Sequence, residues 1–317
     1  MMSSWDPQST AAISSELKSR GFLCQDTIGE GTFSIVKLAW SNRLEKIIAM
    51  KIIDKRKDFK YCKRCLPREL QIVRKVDHNN IIRVYEIIEK DPFVCMVEEF
   101  AEKGDLLRRI RQTGRVDESE SKFFYRQIME ALIYLKSIDV VHRDLKCENV
   151  LLDAYQNVKL ADFGFARFMK PGERSRTFCG SRAYLSPEII RGRPYDGYLA
   201  DIWSAGIVLY VTITGCMPYN DRNIKKMLEK QLQHRISFPR SVLLSAEVKQ
   251  LIFEILHPIP TKRPSLDDII HSKWLATTGY KMRVGKSRSE SQSSSESDRQ
   301  QSSYKVVPPK NTLNKAT

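Results

Sequence analysis

The stretch His142-Arg143-Asp144-Leu145-Lys146-Cys147-Glu148-Asn149, followed shortly by Asp162-Phe163-Gly164, decides how the rest of the chain is read. Asp144, Lys146, Asn149 and Asp162 bring two carboxylates, an ammonium and a carboxamide into one short region. Phosphoryl transfer asks for such a set. It needs little covalent help, but it does need metal-held phosphates, charge stabilisation and a carboxylate to accept a hydroxyl proton. Each motif taken alone is as readily chance as signal, so its weight depends on what accompanies it, in order, elsewhere in the chain.

Upstream, Gly29-Glu30-Gly31-Thr32-Phe33-Ser34-Ile35-Val36 lies between two strand-like runs. Glycines there let a hairpin backbone lie against phosphates with N–H groups free to donate, although an ordinary turn explains an isolated glycine hairpin more readily. Beyond it comes Lys51, at the end of Ile48-Ala49-Met50. A strand lysine is by default a solvated edge charge; beside a glycine hairpin it becomes a candidate phosphate clamp. Such a lysine needs a carboxylate to hold it, and Glu69 on the following helical segment is available. With all these pieces in sequence, chance no longer accounts for them.

Around the motifs the periodicity divides the chain in two. Between Gln25 and Val97 it is short and β-like: Val36, Leu38 and Trp40 alternate with Lys37 and Ala39, Ile47 to Ile53 is β-branched, and two apolar runs flank Asp91-Pro92. One helix is expected near Pro67 to Lys75, with proline in its first turn. From Gly104 the period is helical. Asp117 with Glu120 is placed to form a capping box before a helix whose Phe124, Ile128, Leu132 and Leu135 share a face, and Asp201 to Thr214 reads as a buried helix. The fold class is α+β: a small β-rich lobe over about 21–98 and a larger α-helical lobe over about 102–280. Residues 1–20 are Ser/Thr-rich and read as a flexible leader. Residues 281–317 hold eight Lys/Arg against three acids with a Ser-rich run, and read as a disordered basic tail.

Composition narrows the classes further. At 317 residues, 42% hydrophobic and 29% charged, the chain has the make-up of a globular protein with a sizeable core. The longest apolar stretch, around Ile207 to Val211, is far below the ~18 residues of a membrane span, so no membrane is expected. The start lacks the apolar run of a secretory signal, residue 2 is Met where myristoylation needs Gly, and the last residues are no prenylation signal. A cytoplasmic address follows, with the nucleus also open to the protein. The seven cysteines are scattered as reduced thiols are; Cys62-x-x-Cys65 could be half a zinc site, but no second pair sits at ligand spacing. The net charge of +15 raises the prospect of an anionic partner without choosing among nucleic acid, acidic lipid and nucleotide phosphates.

From about Phe22 to Leu275 the motifs, in this order and spacing, resemble a eukaryotic protein kinase domain. Lys146 after Asp144 resembles the serine/threonine branch. Leu66-Pro67-Arg68-Glu69-Leu70, Thr177-Phe178-Cys179-Gly180-Ser181 and Asp162-Phe163-Gly164-Phe165-Ala166 resemble the testis-specific serine/threonine kinases of the calmodulin-dependent kinase group. The resemblance implies a two-lobed fold, Mg2+ and ATP as cofactor and substrate, protein Ser/Thr substrates, and a part in spermatogenesis. By position it implies that Gly29, Glu30, Gly31 and Val36 cover ATP, Lys51 contacts its phosphates and Glu69 pairs with Lys51. Asp144 would accept the hydroxyl proton, Lys146 would steady the γ-phosphate, and Asn149 and Asp162 would hold Mg2+. Glu99 to Ala101 would face adenine, Asp105 the ribose, and Glu188 would pair with Arg263. Three positions depart from the family pattern: Ser34 stands for the third glycine, Ser186 for an alanine, and Glu98 for an apolar residue at the back of the adenine pocket. A buried carboxylate there must find a partner, take up a proton or turn outward.

Regulation follows from the same resemblance. A phosphate on Thr177 could pair with Arg143 and Arg167 and order the loop, whereas an unmodified Thr177 is the plain reading. Glu148 and Asp105 bordering the peptide groove would favour an arginine upstream of the acceptor. Arg174 lies three residues before Thr177, Arg288 before Ser291 and Arg299 before Ser302, so self-phosphorylation in trans, or an upstream kinase, is expected at Thr177 first. A scaffold with a nucleotide pocket spoiled by Glu98, and a basic nucleic-acid binder without a recognition motif, are the competing readings; nucleic acid is not the expected partner.

Overall fold

The computed structural model describes residues 7–31 and 34–284. The chain opens with helix α1 (Pro7–Ser19), then β1 (Phe22–Glu30), β2 (Ser34–Ser41) and β3 (Lys46–Asp54). Two helices follow, α2 (Phe59–Arg64) and α3 (Leu66–Val73), then β4 (Val84–Lys90) and β5 (Phe93–Glu99). The five strands form one antiparallel sheet in the order β1-β2-β3-β5-β4. Its register lines up Gly29, Val36, Lys51 and Met96 across four strands, with Leu38, Ala49 and Glu98 in the next row of the same face.

Both faces of this sheet are covered. On one, Ile53, Val94 and Met96 join Leu66, Leu70 and Ile72 of α3. On the other, Ile35, Ala39, Ile48, Met50, Ile52, Cys95 and Val97 pack with Ile13 and Leu17 of α1. The expected flexible leader is therefore corrected over residues 7–19. Ile13 and Leu17 sit four apart on one helical face and are 2% and 0% exposed, because the outer face of the sheet needs cover. The expected helix near Pro67 is α3, and α2 before it is additional, capped by the Asp58 carboxylate accepting from Tyr61 N–H at 2.9 Å.

After a two-residue strand β6 (Gly104–Asp105), the chain turns helical through α4 (Leu106–Thr113) and α5 (Glu118–Ser137). Asp117 caps α5 by accepting from Glu120 N–H at 2.9 Å, and Phe124, Ile128, Leu132 and Leu135 are buried as their spacing requires. Short strands β7 (Val140–Val141), β8 (Val150–Leu152), β9 (Val158–Leu160) and β10 (Arg167–Phe168) frame the motif loops. Helices α6 (Pro187–Ile190), α7 (Gly197–Thr214), α8 (Ile224–Leu232), α9 (Ala246–Ile255) and α10 (Leu266–Ile270) complete the fold. Helix α7 is long and apolar enough to cross a bilayer, yet 83% of it is buried in the core. Gly206 lets α9 approach it: a Cβ there would lie 2.4 Å from Ile255.

The tail boundary also moves. Lys281 carbonyl accepts from Gln127 at 3.0 Å, Arg283 exchanges two hydrogen bonds with the Asn157 carboxamide at 2.7 and 2.9 Å, and the Tyr280 hydroxyl donates to Asn80 at 2.8 Å. Buried amides on α5 and beside β9 find these partners, so packed chain runs to Arg283 and not to residue 280. The Ser-rich run and its sites Ser291 and Ser302 lie outside the described residues, as do Thr32 and Phe33.

Candidate active site

Lys51 projects from the central strand β3 into the cleft beneath the sheet and meets two carboxylates: Glu69 of α3 at 2.8 Å and Asp162 at 3.4 Å. Burial would lower its pKa, but Glu69, Asp162 and Glu98 outweigh that and raise it well above the ordinary lysine value, so the ammonium stays charged. Glu69 is 1% exposed and also accepts a short hydrogen bond from the Tyr61 hydroxyl of α2. Glu98, in the row beside Lys51, faces inward. Burial pushes its carboxyl up to about 7, with Lys51 pulling down and Glu69 and Asp162 pushing up. It has therefore not turned outward, and the Lys51 charge is what favours its ionised form.

The second cluster hangs from the loop after β7. Asp201 of α7 accepts from the backbone N–H of His142 at 2.7 Å and of Arg143 at 2.8 Å, which holds Arg143 at a φ of 65°. Asp144 follows, 4% exposed, with every side of its carboxylate engaged. Oδ2 accepts from Lys146 at 2.8 Å and from Asn149 at 3.3 Å; Oδ1 accepts from Ser181 N–H at 2.7 Å and Ser181 hydroxyl at 2.9 Å. Gly180, at a φ of 103°, makes the last contacts available: a Cβ there would lie 2.8 Å from Arg143 carbonyl oxygen. A hydroxyl is thus already seated against Asp144, as a substrate hydroxyl would need to be.

Asp162 links the two clusters. Its carboxyl is held below the usual range chiefly by Lys51, with Lys146 and His142 adding to the effect. Asn149 spends its amide nitrogen on Asp144, with Asp144 carbonyl at 2.9 Å, and this leaves the carboxamide oxygen as the other end. One ionised carboxylate and one amide oxygen make the hard, sparse donor set that Mg2+ accepts, since that ion fills its shell with water and substrate phosphates. These residues fit the ion.

The remaining expected residues fall around this cleft. Gly29, Glu30 and Gly31 lie on β1 and the turn into β2, where Gly31 N–H donates to Ser34 carbonyl at 2.8 Å, and Val36 stands over Lys51. Ala101 is buried just past β5, and Glu99 pairs with Lys159 of β9 at 2.6 Å, tying the end of the sheet to the helical lobe. Asp105 caps α4 through Arg108 N–H at 2.7 Å, so one of its oxygens already has a structural duty. Glu188 and Arg263 form a bidentate buried pair at 2.7 Å in both bonds, with the guanidinium 4.9 Å from the Trp203 ring.

Thr177 is exposed, its N–H donating to Ser175 and its carbonyl accepting from Tyr195. Arg143 donates to Phe165 carbonyl and to Ser175, while Arg167 pairs with Glu173 at 2.5 Å. Burial, then Arg143 and Arg167, lowers the pKa of Arg68, so three guanidiniums share one neighbourhood. The Arg68 member, the Tyr61 contact, the Asp201 hold and the Lys159–Glu99 pair were not expected from sequence. Arg68 lies beside Glu69 in the quoted helix motif and could have been found there; a pairing between distant β9 and β5 has no local signal.

Comparison with known proteins agrees with this geometry. The chain is 41% identical over 285 residues to testis-specific serine/threonine-protein kinase 1 of Mus musculus, covering 88% of this chain and 78% of that protein. It is 45% identical over 266 residues to testis-specific serine/threonine-protein kinase 3 of Homo sapiens, covering 83% and 98%. It is 38% identical over 269 residues to serine/threonine-protein kinase SIK2 of Gallus gallus, covering 85% of this chain and 34% of that one. Residues 22–275 match the family described as protein kinase domain, and with the cleft assembled as above the chain belongs to the protein kinase family as a serine/threonine protein kinase.

Proposed function

We propose that this kinase moves the γ-phosphoryl of ATP to Ser/Thr hydroxyls through the two clusters just described, with a preference for arginine upstream of the acceptor. The observation that carries the assignment is the continuous chain of contacts from Glu69 through Lys51 to Asp162, beside an Asp144 that already holds a hydroxyl. Lys51, kept cationic, takes the α/β-phosphates under Gly29, Glu30, Gly31 and Val36, and Glu69 fixes its direction. Glu99 to Ala101 border adenine. Asp105 stands near the ribose with the oxygen its capping role leaves. Asn149 and Asp162 hold Mg2+, which when bound supplies positive charge to the phosphates. Asp144 orients the substrate hydroxyl and takes its proton as the new O–P bond forms and ADP leaves; Lys146, 2.8 Å from Asp144, steadies the γ-phosphoryl.

The Arg preference rests on Glu148, beside Tyr184 at 3.4 Å, and on Asp105 as anionic borders of the peptide groove. Thr177, exposed and sharing the Ser175 hydroxyl with Arg143, whose neighbours Arg68 and Arg167 add charge, is the regulatory site, phosphorylated in trans by a second copy or by an upstream kinase. The similar kinases are named testis-specific, which supports a role for this kinase in testis and, as we propose, in spermatogenesis, with a cytoplasmic or nuclear address. A radiolabelled transfer assay compares Arg-x-x-Ser with Ala-x-x-Ser peptides, with and without Mg2+. Transfer should need Mg2+ and favour the arginine peptide about tenfold or more. Equal rates on both peptides would remove the preference, and transfer unaffected by chelation would remove the metal assignment.

A further inference from the structure

The buried carboxylate of α3 that orients Lys51 is held from two sides, and one of its holders has no part in the scheme above. Glu69 is almost wholly buried, its Oε1 taken by Lys51 at 2.8 Å and its Oε2 by the hydroxyl of Tyr61. Tyr61 belongs to α2, is 7% exposed, and has its backbone fixed at both ends: N–H to the Asp58 cap at 2.9 Å, carbonyl from Cys65 N–H at 2.7 Å. Its hydroxyl also borders the Asp162-Phe163-Gly164 turn, since a Cβ on Gly164 would lie 3.5 Å from it and 3.6 Å from Glu69 Oε2.

We infer that Tyr61 is a positioning residue for phosphoryl transfer, acting through Glu69 to set the direction of the Lys51 ammonium; this rests on the proposed role of the Lys51–Glu69 pair. A carboxylate bound at one oxygen can swing about its side-chain torsions, whereas one bound at both oxygens, by a lysine of β3 and a tyrosine of α2, has its plane fixed. Burial raises the pKa of the Tyr61 phenol far above its ordinary value, so it remains a donor at every working pH. Two helices that meet at Cys65 thereby impose one orientation on the lysine that receives the phosphates.

The test is Tyr61→Phe, which deletes the donor and keeps the ring. Steady-state kinetics should show KM for ATP up about tenfold, with kcat/KM for ATP down to match, the loss expected of one hydrogen bond to a charged group, and KM for the peptide unchanged. A merely structural loss would scale all rates with the folded fraction and leave the KM for ATP alone. In a Glu69→Gln background, where transfer is nearly abolished, the Mg·ATP affinity measured by fluorescent-nucleotide titration should not respond further to Tyr61→Phe. An unchanged KM for ATP in Tyr61→Phe, or an equal loss of affinity in both backgrounds, overturns the inference. Wild-type activity in Glu69→Gln instead overturns the role of the pair. If Tyr61→Phe does not fold, 4-aminophenylalanine and 4-fluorophenylalanine at position 61 replace it; the donor should retain about tenfold more kcat/KM for ATP, and equal values overturn the inference.

Discussion

Glu98 offers the sharpest test of how the cleft is built. Its carboxyl, ordinarily near 4.5, is pushed up to about 7 first by burial and then by Glu69 and Asp162, against the pull of Lys51. A folded-state value above the unfolded one means that the folded protein binds the proton more tightly. Stability from this group is therefore fully present below the ordinary value and is lost as pH rises through about 7. At roughly 1.4 kcal/mol per pH unit, a rise of this size corresponds to about 3 kcal/mol, and about 2–3 kcal/mol once its residual contact with solvent is allowed for. Glu98→Gln removes the titration and keeps the shape. Melting curves of both proteins between pH 4 and 9 should converge at the acid end, separate between about pH 4.5 and 7, and keep a constant gap above that. By pH 8.5 the variant should have gained about 5–10 °C relative to wild type. Parallel curves across the whole range would refute a strained, inward Glu98.

Three further perturbations probe separate parts of the molecule. Leu17→Ala should cost about 2–4 kcal/mol, because the side chain is fully buried against the sheet; chemical denaturation would show no loss if residues 7–19 were unattached. Arg263→Ala strands the buried Glu188 carboxylate and should cost about 3–5 kcal/mol, read as a fall in Tm, and an unchanged Tm would contradict the bidentate burial. Phosphate mapping by mass spectrometry should find Thr177 occupied in wild type and empty in Asp144→Asn when each is expressed without another kinase; equal occupancy would rule out self-phosphorylation.

Residues whose chemistry fixes their type were legible before their positions were known. Lys51, Glu69, Asp144, Asn149 and Asp162 could be named because their charges and donors suit phosphoryl transfer and their motifs, in order, resemble those of protein kinases, and the sheet register then brings Gly29, Val36 and Lys51 into line. Helix α1 was hidden for a different reason. Ile13 and Leu17 are a thin signal, and what buries them is the second face of a sheet whose strands read as one-sided alternation. Tyr61 was hidden because tyrosine in a Lys/Arg-rich stretch looks like surface until the fold turns it onto Glu69. The packed segment to Arg283 was hidden because its hold mixes backbone groups with isolated side-chain contacts, such as the Arg283 guanidinium over the Phe123 ring, that leave no periodic pattern. Asp105 shows the converse: the family resemblance pointed to the ribose, and the structure adds the helix cap it forms with the Arg108 N–H three residues on.

The most direct test of the whole account is γ-phosphoryl transfer from labelled ATP to a serine peptide by the purified chain and by its Asp144→Asn variant, in saturating Mg·ATP at equal folded concentration. Transfer by the wild type that drops at least a hundredfold in the variant, with Mg·ATP affinity preserved, is the predicted result. Equal transfer by both proteins would contradict it.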